Sequence, residues 1–291
     1  MDLATLRDVT FTYAYAEMPA LEGVTLQLQR GQLYGVVGIN GSGKSTLCSL
    51  LRGLIPHFHQ GTLEGTVEIL GKDLGEWDAA ELSRTIGCVF DNPFTQISGI
   101  KDTVFEEIAF GLENLGVSRS DMLDRVTSVS EQMGITALLR KNPNELSGGQ
   151  RQKVAFASII AMDSEVLVID EPTSQLDPQS SHAVFEIIAD LKARGKSIVL
   201  VEHKIDLMAQ FADRLVVMRS GEVVAEGPTA QVLASPAMDA ADVPRPEVTD
   251  LAFALEAVGK GLGCVPVTRR EAEAAIATRM RGTQIHADRV A

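Results

Sequence analysis

The sequence predicts a mixed α/β fold: a strand-rich opening, a parallel-sheet core, a helical subdomain and a small C-terminal extension. Three observations point there. Short β-branched runs dominate the opening third of the chain. Later, the runs VLVID, SIVLVE and LVVM are almost wholly apolar, as strands covered on both faces of a parallel sheet must be. Between an early strand and a helix lies a glycine-rich segment, GINGSGKST, at residues 38–46.

Taken in order, residues 6–13, 24–29, 33–38, 65–70 and 86–90 read as strands of the opening part. From 102 to 140, Val104, Ile108, Leu112 and Leu115, then Met122, Val126, Val129 and Met133, recur at three and four. That period marks amphipathic helices, and a helical subdomain is expected at about 102–162. Residues 166–170, 197–202 and 215–218 supply the later strands. After Gly227, Pro228, Pro236, Pro244 and Pro246 punctuate a linker, and an apolar helical pattern resumes at 248–258. A main domain over 1–235, followed by a linker and extension over 236–291, is the expected organisation.

Bulk properties narrow the function. With 291 residues and 45% hydrophobic content, the chain can bury one full core and carry an appended piece. Its longest run free of Asp, Glu, Lys and Arg, the 13 residues 31–43, is too short and too glycine-rich to cross a bilayer. The opening MDLATLRDVTFTY lacks the pattern of an export signal, so a cytoplasmic location is expected. A net charge of −13 without a basic run disfavours nucleic acid as a ligand. Cys48, Cys88 and Cys264 form no CxxC pair and read as small apolar residues rather than a zinc site or disulfide framework.

The segment Gly38, Ile39, Asn40, Gly41, Ser42, Gly43, Lys44, Ser45 and Thr46 matches GxxxxGK[ST] in a strand-loop-helix setting. Glycines let backbone N–H groups converge on phosphate oxygens, and the helix that follows turns its positive end toward the same charge. Lys44 is expected to reach the β and γ phosphates of ATP, and the Ser45 hydroxyl to meet Mg²⁺. The plain alternative is a glycine-rich turn. Asp170 and Glu171 end the VLVI strand, at the edge where α/β sheets bind ligands. Asp170 is expected on the metal, and Glu171 on an attacking water. Leu146, Ser147, Gly148, Gly149 and Gln150 open another helical stretch. Ser147 there could be no more than a helix cap, or the glycine amides could offer a second anion-binding tip.

LSGGQ about 20 residues before VLVIDE, together with GINGSGKST, resembles the ABC ATPase family of P-loop NTPases over residues 1–235, which implies that the opening strands form an N-terminal antiparallel β part. The resemblance implies an ATP-hydrolysing subunit that closes against a second ATPase copy or paralogue. It implies that Tyr13 stacks on adenine and that His203 contacts the γ phosphate. It also implies that Ser147 and Gly149 complete the partner's site, and that Ser174 and Asp177 lie in a loop crossing between subunits, with Gln175 where a small residue is commoner. For Tyr13 the alternative is a core aromatic, and for His203 a structural histidine.

The stretch VFDNPFTQ, the following VFEEIAFGLENLG, and a tail with PEV and VT leading into Glu271 resemble the energy-coupling factor transporter ATPases. That resemblance implies a dimerising C-terminal extension, a transmembrane coupling subunit, a substrate-binding membrane component, and a site on the cytoplasmic face of a bacterial membrane. Asp91 stands where that family usually has glutamine, on the metal and the attacking water. A carboxylate ligates Mg²⁺ but donates no hydrogen bond and adds negative charge beside the phosphate. Asp91→Gln is therefore expected to raise the ATPase rate, as read by steady-state phosphate release. The rival readings are the ATPase of an ordinary ABC importer or exporter, a soluble non-transport ABC machine, and a binder that holds ATP uncleaved. Against the last two stand the single motif set without a coiled-coil insertion, and the presence of both Glu171 and His203.

Overall fold

The computed structural model describes residues 1–89, 97–174 and 176–290, with 282–290 described as backbone only. Asp91 and Gln175 therefore lie outside the described residues.

Two sheets organise the chain. The first is antiparallel, with strand order β2-β1-β4-β5, built from β1 (Asp2–Tyr13), β2 (Leu21–Gln29), β4 (Gly61–Ile69) and the short β5 (Lys72–Asp73). The second has order β10-β9-β3-β8-β7-β6. In it β3 (Leu33–Val37), β6 (Ile86–Val89), β7 (Val166–Asp170), β8 (Ser197–Val201) and β9 (Arg214–Arg219) run parallel, and β10 (Glu222–Pro228) returns antiparallel on β9. Strand period two sends alternate side chains to opposite faces. Leu167 and Ile169 of β7 thus join one apolar cluster, while Val166 and Val168 join the other. This double burial is why the later strands have no polar alternation.

On one face, α1 (Lys44–Leu51) and the antiparallel sheet cover the strands, with Phe11, Leu47 and Leu50 fully buried. On the other lie α3 (Val104–Asn114), α4 (Arg119–Gln132), α5 (Gly148–Met162), α6 (Pro178–Ala193) and α7 (Ile205–Phe211). Helix α2 (Ala79–Thr85) precedes β6. Helix α6 presents Val184, Phe185, Ile188 and Leu191 as one buried stripe. Each such side chain contributes about 1.5–3 kcal/mol when removed from water. Local sequence sets the helix starts. Thr103 and Glu106 form a capping box on α3, Ser118 caps α4, and Asp177 with Pro178 opens α6.

The hairpin β9–β10 was not evident from the sequence. Its turn, Ser220 (φ 49) and Gly221 (φ 87), has the paired positive φ angles that join twisted antiparallel strands tightly. Exposed Glu222 and Glu226 alternating with less polar residues make β10 look like a loop.

The core does not stop at residue 235. After α8 (Thr229–Leu233) and α9 (Ala237–Ala240), Met238, Ala241 and Val243 pack in the same cluster as the helical layer, as does Val267. Arg245 fastens this stretch, bonding both oxygens of Asp239 and the Ser235 carbonyl while lying over the Phe253 ring. Helices α10 (Glu247–Ala257) and α11 (Arg269–Val290) follow, and Thr249 Oγ1 of α10 donates to the Pro266 carbonyl in the segment between them at 2.9 Å. Thr268 and Glu271 cap α11 reciprocally. Among the described residues, no helix is long and apolar enough to cross a membrane.

The thiols differ sharply in environment. Cys48 is buried on α1, burial pushes the Cys88 thiol up to about 12, and Cys264 is exposed. A thiol held at about 12 is only about one part in ten thousand thiolate at pH 8, and the thiolate is the reactive form. Iodoacetamide at pH 8 should therefore modify Cys264 far faster than Cys48 or Cys88, as read by peptide mass mapping.

Candidate functional site

In strand order, β3, β8 and β7 are neighbours, so the segments leaving their carboxyl ends meet at one edge of the sheet. These are the phosphate loop after β3, the Glu202–His203–Lys204 turn after β8 and the Asp170–Glu171 pair at the end of β7. Convergence at strand carboxyl ends is the usual ligand edge of a parallel sheet.

The loop after β3 is shaped by contacts that exclude side chains. A Cβ on Gly38 would meet the Met218 carbonyl and Ser42 Oγ, each at 2.4 Å, and Gly43 sits at φ +102. Ser42 N donates to the Ile39 carbonyl at 3.2 Å, closing the turn. In α1 the first helical bond runs from Leu47 N to the Gly43 carbonyl at 2.9 Å, so the amides of Lys44, Ser45 and Thr46 face out of the helix start. Ile39, Asn40 and Gly41 are exposed, as is Ser45, while Ser42 and Thr46 are buried. Lys44 is 5% exposed and folds back, its ammonium donating to the carbonyls of Gly38 at 2.8 Å and Ile39 at 2.9 Å. Burial pulls its pKa below the usual lysine value, and the negative charges of Glu171 and Asp170 oppose that pull. An ammonium held in this way is a preformed counter-charge for phosphate.

Asp170 is half-buried at the end of β7. Glu171 follows in the left-handed region at φ 44, which costs a residue with a Cβ roughly 1–2 kcal/mol. Its amide is held by the Val201 carbonyl at 2.9 Å, and its carboxylate oxygen Oε1 lies 2.9 Å from His203 Nε2. With the proton on Nε2, the imidazole donates to the carboxylate. The sequence marked both residues but did not foretell their contact.

Tyr13 ends β1 half-buried, its hydroxyl 3.1 Å from Thr46 Oγ1 and its ring edge-on to Phe11. It thus stands at the phosphate-loop helix and also packs against the apolar cluster on that face of the sheet.

Ser147 and Gly148 are exposed, Gly149 and Gln150 half-buried, and Leu146 anchors the segment at 5% exposure. Ser147 does cap α5: Gln150 N donates to its hydroxyl at 3.4 Å, and the Gln150 side chain accepts from Ser147 N at 3.1 Å. The S-x-x-Q spacing was the available signal for that box. Ser147 and Gly149 line a groove of about 470 Å³ with Leu176, Gln179 and Ser180 of the α6 start. Ser174 is exposed. Asp177, by contrast, serves its own helix, accepting from the amides of Gln179 and Ser180 at 3.0 Å and from the Ser180 hydroxyl at 2.5 Å. Those donors, the Ser180 hydroxyl first, hold its carboxyl below the usual aspartate value.

Several neighbours of the site carried no sequence signal. Glu202 is buried against Thr173, and Lys204 reaches into the loop after Glu171. Asp242, Val243 and Pro244 line a cavity of about 170 Å³ with Gly38, Ile39 and His203, although they lie beyond the composition change.

Residues 21–174 match the family model described as ABC transporter. A relative from Pyrococcus abyssi, described provisionally as an ABC transporter ATP-binding protein, is 41% identical over 233 residues, covering 80% of this chain and 82% of the relative. A relative from Saccharolobus solfataricus, described in the same way, is 35% identical over 259 residues; the chain spans 46% of its length. Among solved structures, CbiO1 from Clostridium perfringens, part of the ABC transporter complex CbiONQ, superposes with a TM-score of 0.72 at 26% identity over 89% of this chain and 97% of that one. A dimeric ATP-binding cassette in a post-hydrolysis state with ADP and Pi gives a TM-score of 0.67 at 28% identity, covering 78% of this chain and 98% of that one.

Proposed function

We propose, from the premise that this chain belongs to the ABC transporter family and is an ATP-hydrolysing subunit of such a transporter, that it drives an energy-coupling factor importer of vitamins or metal ions. The observation that carries the assignment of the site is the 2.9 Å contact of Glu171 with His203 at the strand edge that holds Lys44. The likeness to CbiO1 and the tail that packs into the main core support the importer type.

In this reading the loop amides and Lys44 hold the β and γ phosphates of ATP, and Tyr13 packs on adenine. Ser45 and Asp170 are hard oxygen donors at the start of α1 and the end of β7, the donor type Mg²⁺ takes. When bound, the ion neutralises charge on the phosphate oxygens. Glu171 polarises the attacking water, and His203 turns from Glu171 to the terminal phosphate. Ser147 and Gly149 offer the tip of α5 to nucleotide on a second ATPase subunit, identical or paralogous, and Ser174 with its loop lies on that contact. ATP closes the pair and hydrolysis reopens it. The pair pulls on a transmembrane coupling subunit at the cytoplasmic face, while a separate membrane component selects the cargo.

Affinity purification from the native membrane, with phosphate release measured on the eluate, tests this. A coupling subunit and a small substrate-binding membrane protein should copurify with the ATPase activity. Recovery of ordinary permease subunits instead would replace the importer type.

A further inference from the structure

The two residues that flank His203 both grip the segment that follows Glu171. On one side, Glu202 is 2% exposed; its Oε2 accepts from the Thr173 hydroxyl at 2.5 Å, and its Oε1 accepts from the amides of His203 at 2.8 Å and Lys204 at 3.3 Å. On the other side, Lys204 Nζ donates to the Thr173 carbonyl at 3.0 Å, the Leu176 carbonyl at 3.3 Å and Ser181 Oγ at 2.5 Å. The three protons of an ammonium thus have three acceptors, on Thr173, Leu176 and Ser181. The Ser181 hydroxyl in turn donates to the Asp177 carbonyl at 2.8 Å.

The backbone that carries His203 is therefore fastened to this loop by charge-assisted bonds at both ends, in a half-buried setting where such bonds are strong. A rotation of the His203 turn therefore pulls on Thr173, Leu176 and Ser181. We propose that Lys204, seconded by Glu202, is a positioning residue that converts engagement of His203 by the terminal phosphate into a fixed placement of Thr173, Ser174 and Leu176, so that ATP, and not ADP, prepares the surface for a second subunit. The proposal rests on the assignment above of His203 to the terminal phosphate and of the Ser174 loop to the subunit contact. Lys204 touches no reacting atom. Its effect is expected on the coupling between phosphate and loop, with nucleotide affinity left within about threefold.

The test is amide hydrogen exchange by mass spectrometry on the full chain carrying Glu171→Gln, with Mg-ATP or Mg-ADP, with and without Lys204→Met. Equilibrium nucleotide affinity and sedimentation are measured on the same samples. In the parent, ATP should slow exchange across 173–181 at least tenfold more than ADP does, and Lys204→Met should abolish that difference. Ser181→Ala, which removes one acceptor, should reduce the difference and keeps the test decisive if Lys204→Met proves unfolded. An ATP effect of equal size in all three proteins overturns the proposal, as does no ATP effect in the parent. A Lys204-dependent ATP effect without any sedimenting pair would uphold the coupling while removing the two-subunit reading. Normal pairing with loop protection indifferent to Lys204 would do the reverse.

Discussion

Glu171→Gln is expected to lower steady-state ATP hydrolysis by about two to four orders of magnitude, the usual range for removing a positioned general base. The amide keeps the size and one acceptor of the carboxylate but cannot take up the proton of an attacking water. The phosphate loop, with Lys44 bonded to the Gly38 and Ile39 carbonyls, does not depend on Glu171 for its shape. Nucleotide affinity should therefore stay near the parent value while hydrolysis stops, and an ATP-loaded pair of subunits should accumulate. Malachite-green phosphate release against fluorescent-nucleotide titration separates the two quantities, and light scattering reads the pair. A variant that still turns over within tenfold of the parent would remove Glu171 from the chemistry.

Lys44→Ala should act earlier, on binding. A hydrogen bond to a charged group contributes about 1.5–3 kcal/mol, and two such contacts to phosphate oxygens correspond to a loss of roughly 10²–10⁴ in affinity. The loss is sharpened because Lys44 is buried beside Asp170 and Glu171, whose charges would face the phosphates uncompensated. Isothermal titration with a slowly hydrolysed ATP analogue reads the loss directly. If the exposed Ser147 tip of α5 belongs to the partner's site, mixing Lys44→Ala subunits with Ser147→Arg subunits should rebuild one intact composite site in a mixed pair. Activity should reappear where neither variant has it alone. A mixture as inactive as its components would place both motifs in one subunit's site.

Much of this architecture was legible because its signals are local. GINGSGKST and VLVIDE each announce a strand end by composition, and strands β7 and β8 begin where the apolar runs at 166 and 197 begin. What escaped reading depends on the third dimension. The Glu171–His203 contact joins residues 32 apart through the β7–β8 pairing, and Thr173 meets Glu202 across 29. No periodicity encodes such a meeting. Strand β10 was hidden because it is an edge strand with exposed glutamates, and the Ser220–Gly221 turn was its one local mark. Prolines after residue 227 mark a linker leading to a separate extension over 236–291. Composition records which residues are flexible or small, however, and not that Met238 and Val243 find a prepared apolar surface.

That surface has a thermodynamic meaning for the whole molecule. Because Met238, Ala241, Val243 and Val267 belong to the same apolar cluster as the helical layer, loosening the tail exposes part of the main core. Heat should accordingly meet one cooperative transition rather than a fraying end followed by a resistant centre. Displacing residues 238–267 therefore draws on the stability of the main core itself.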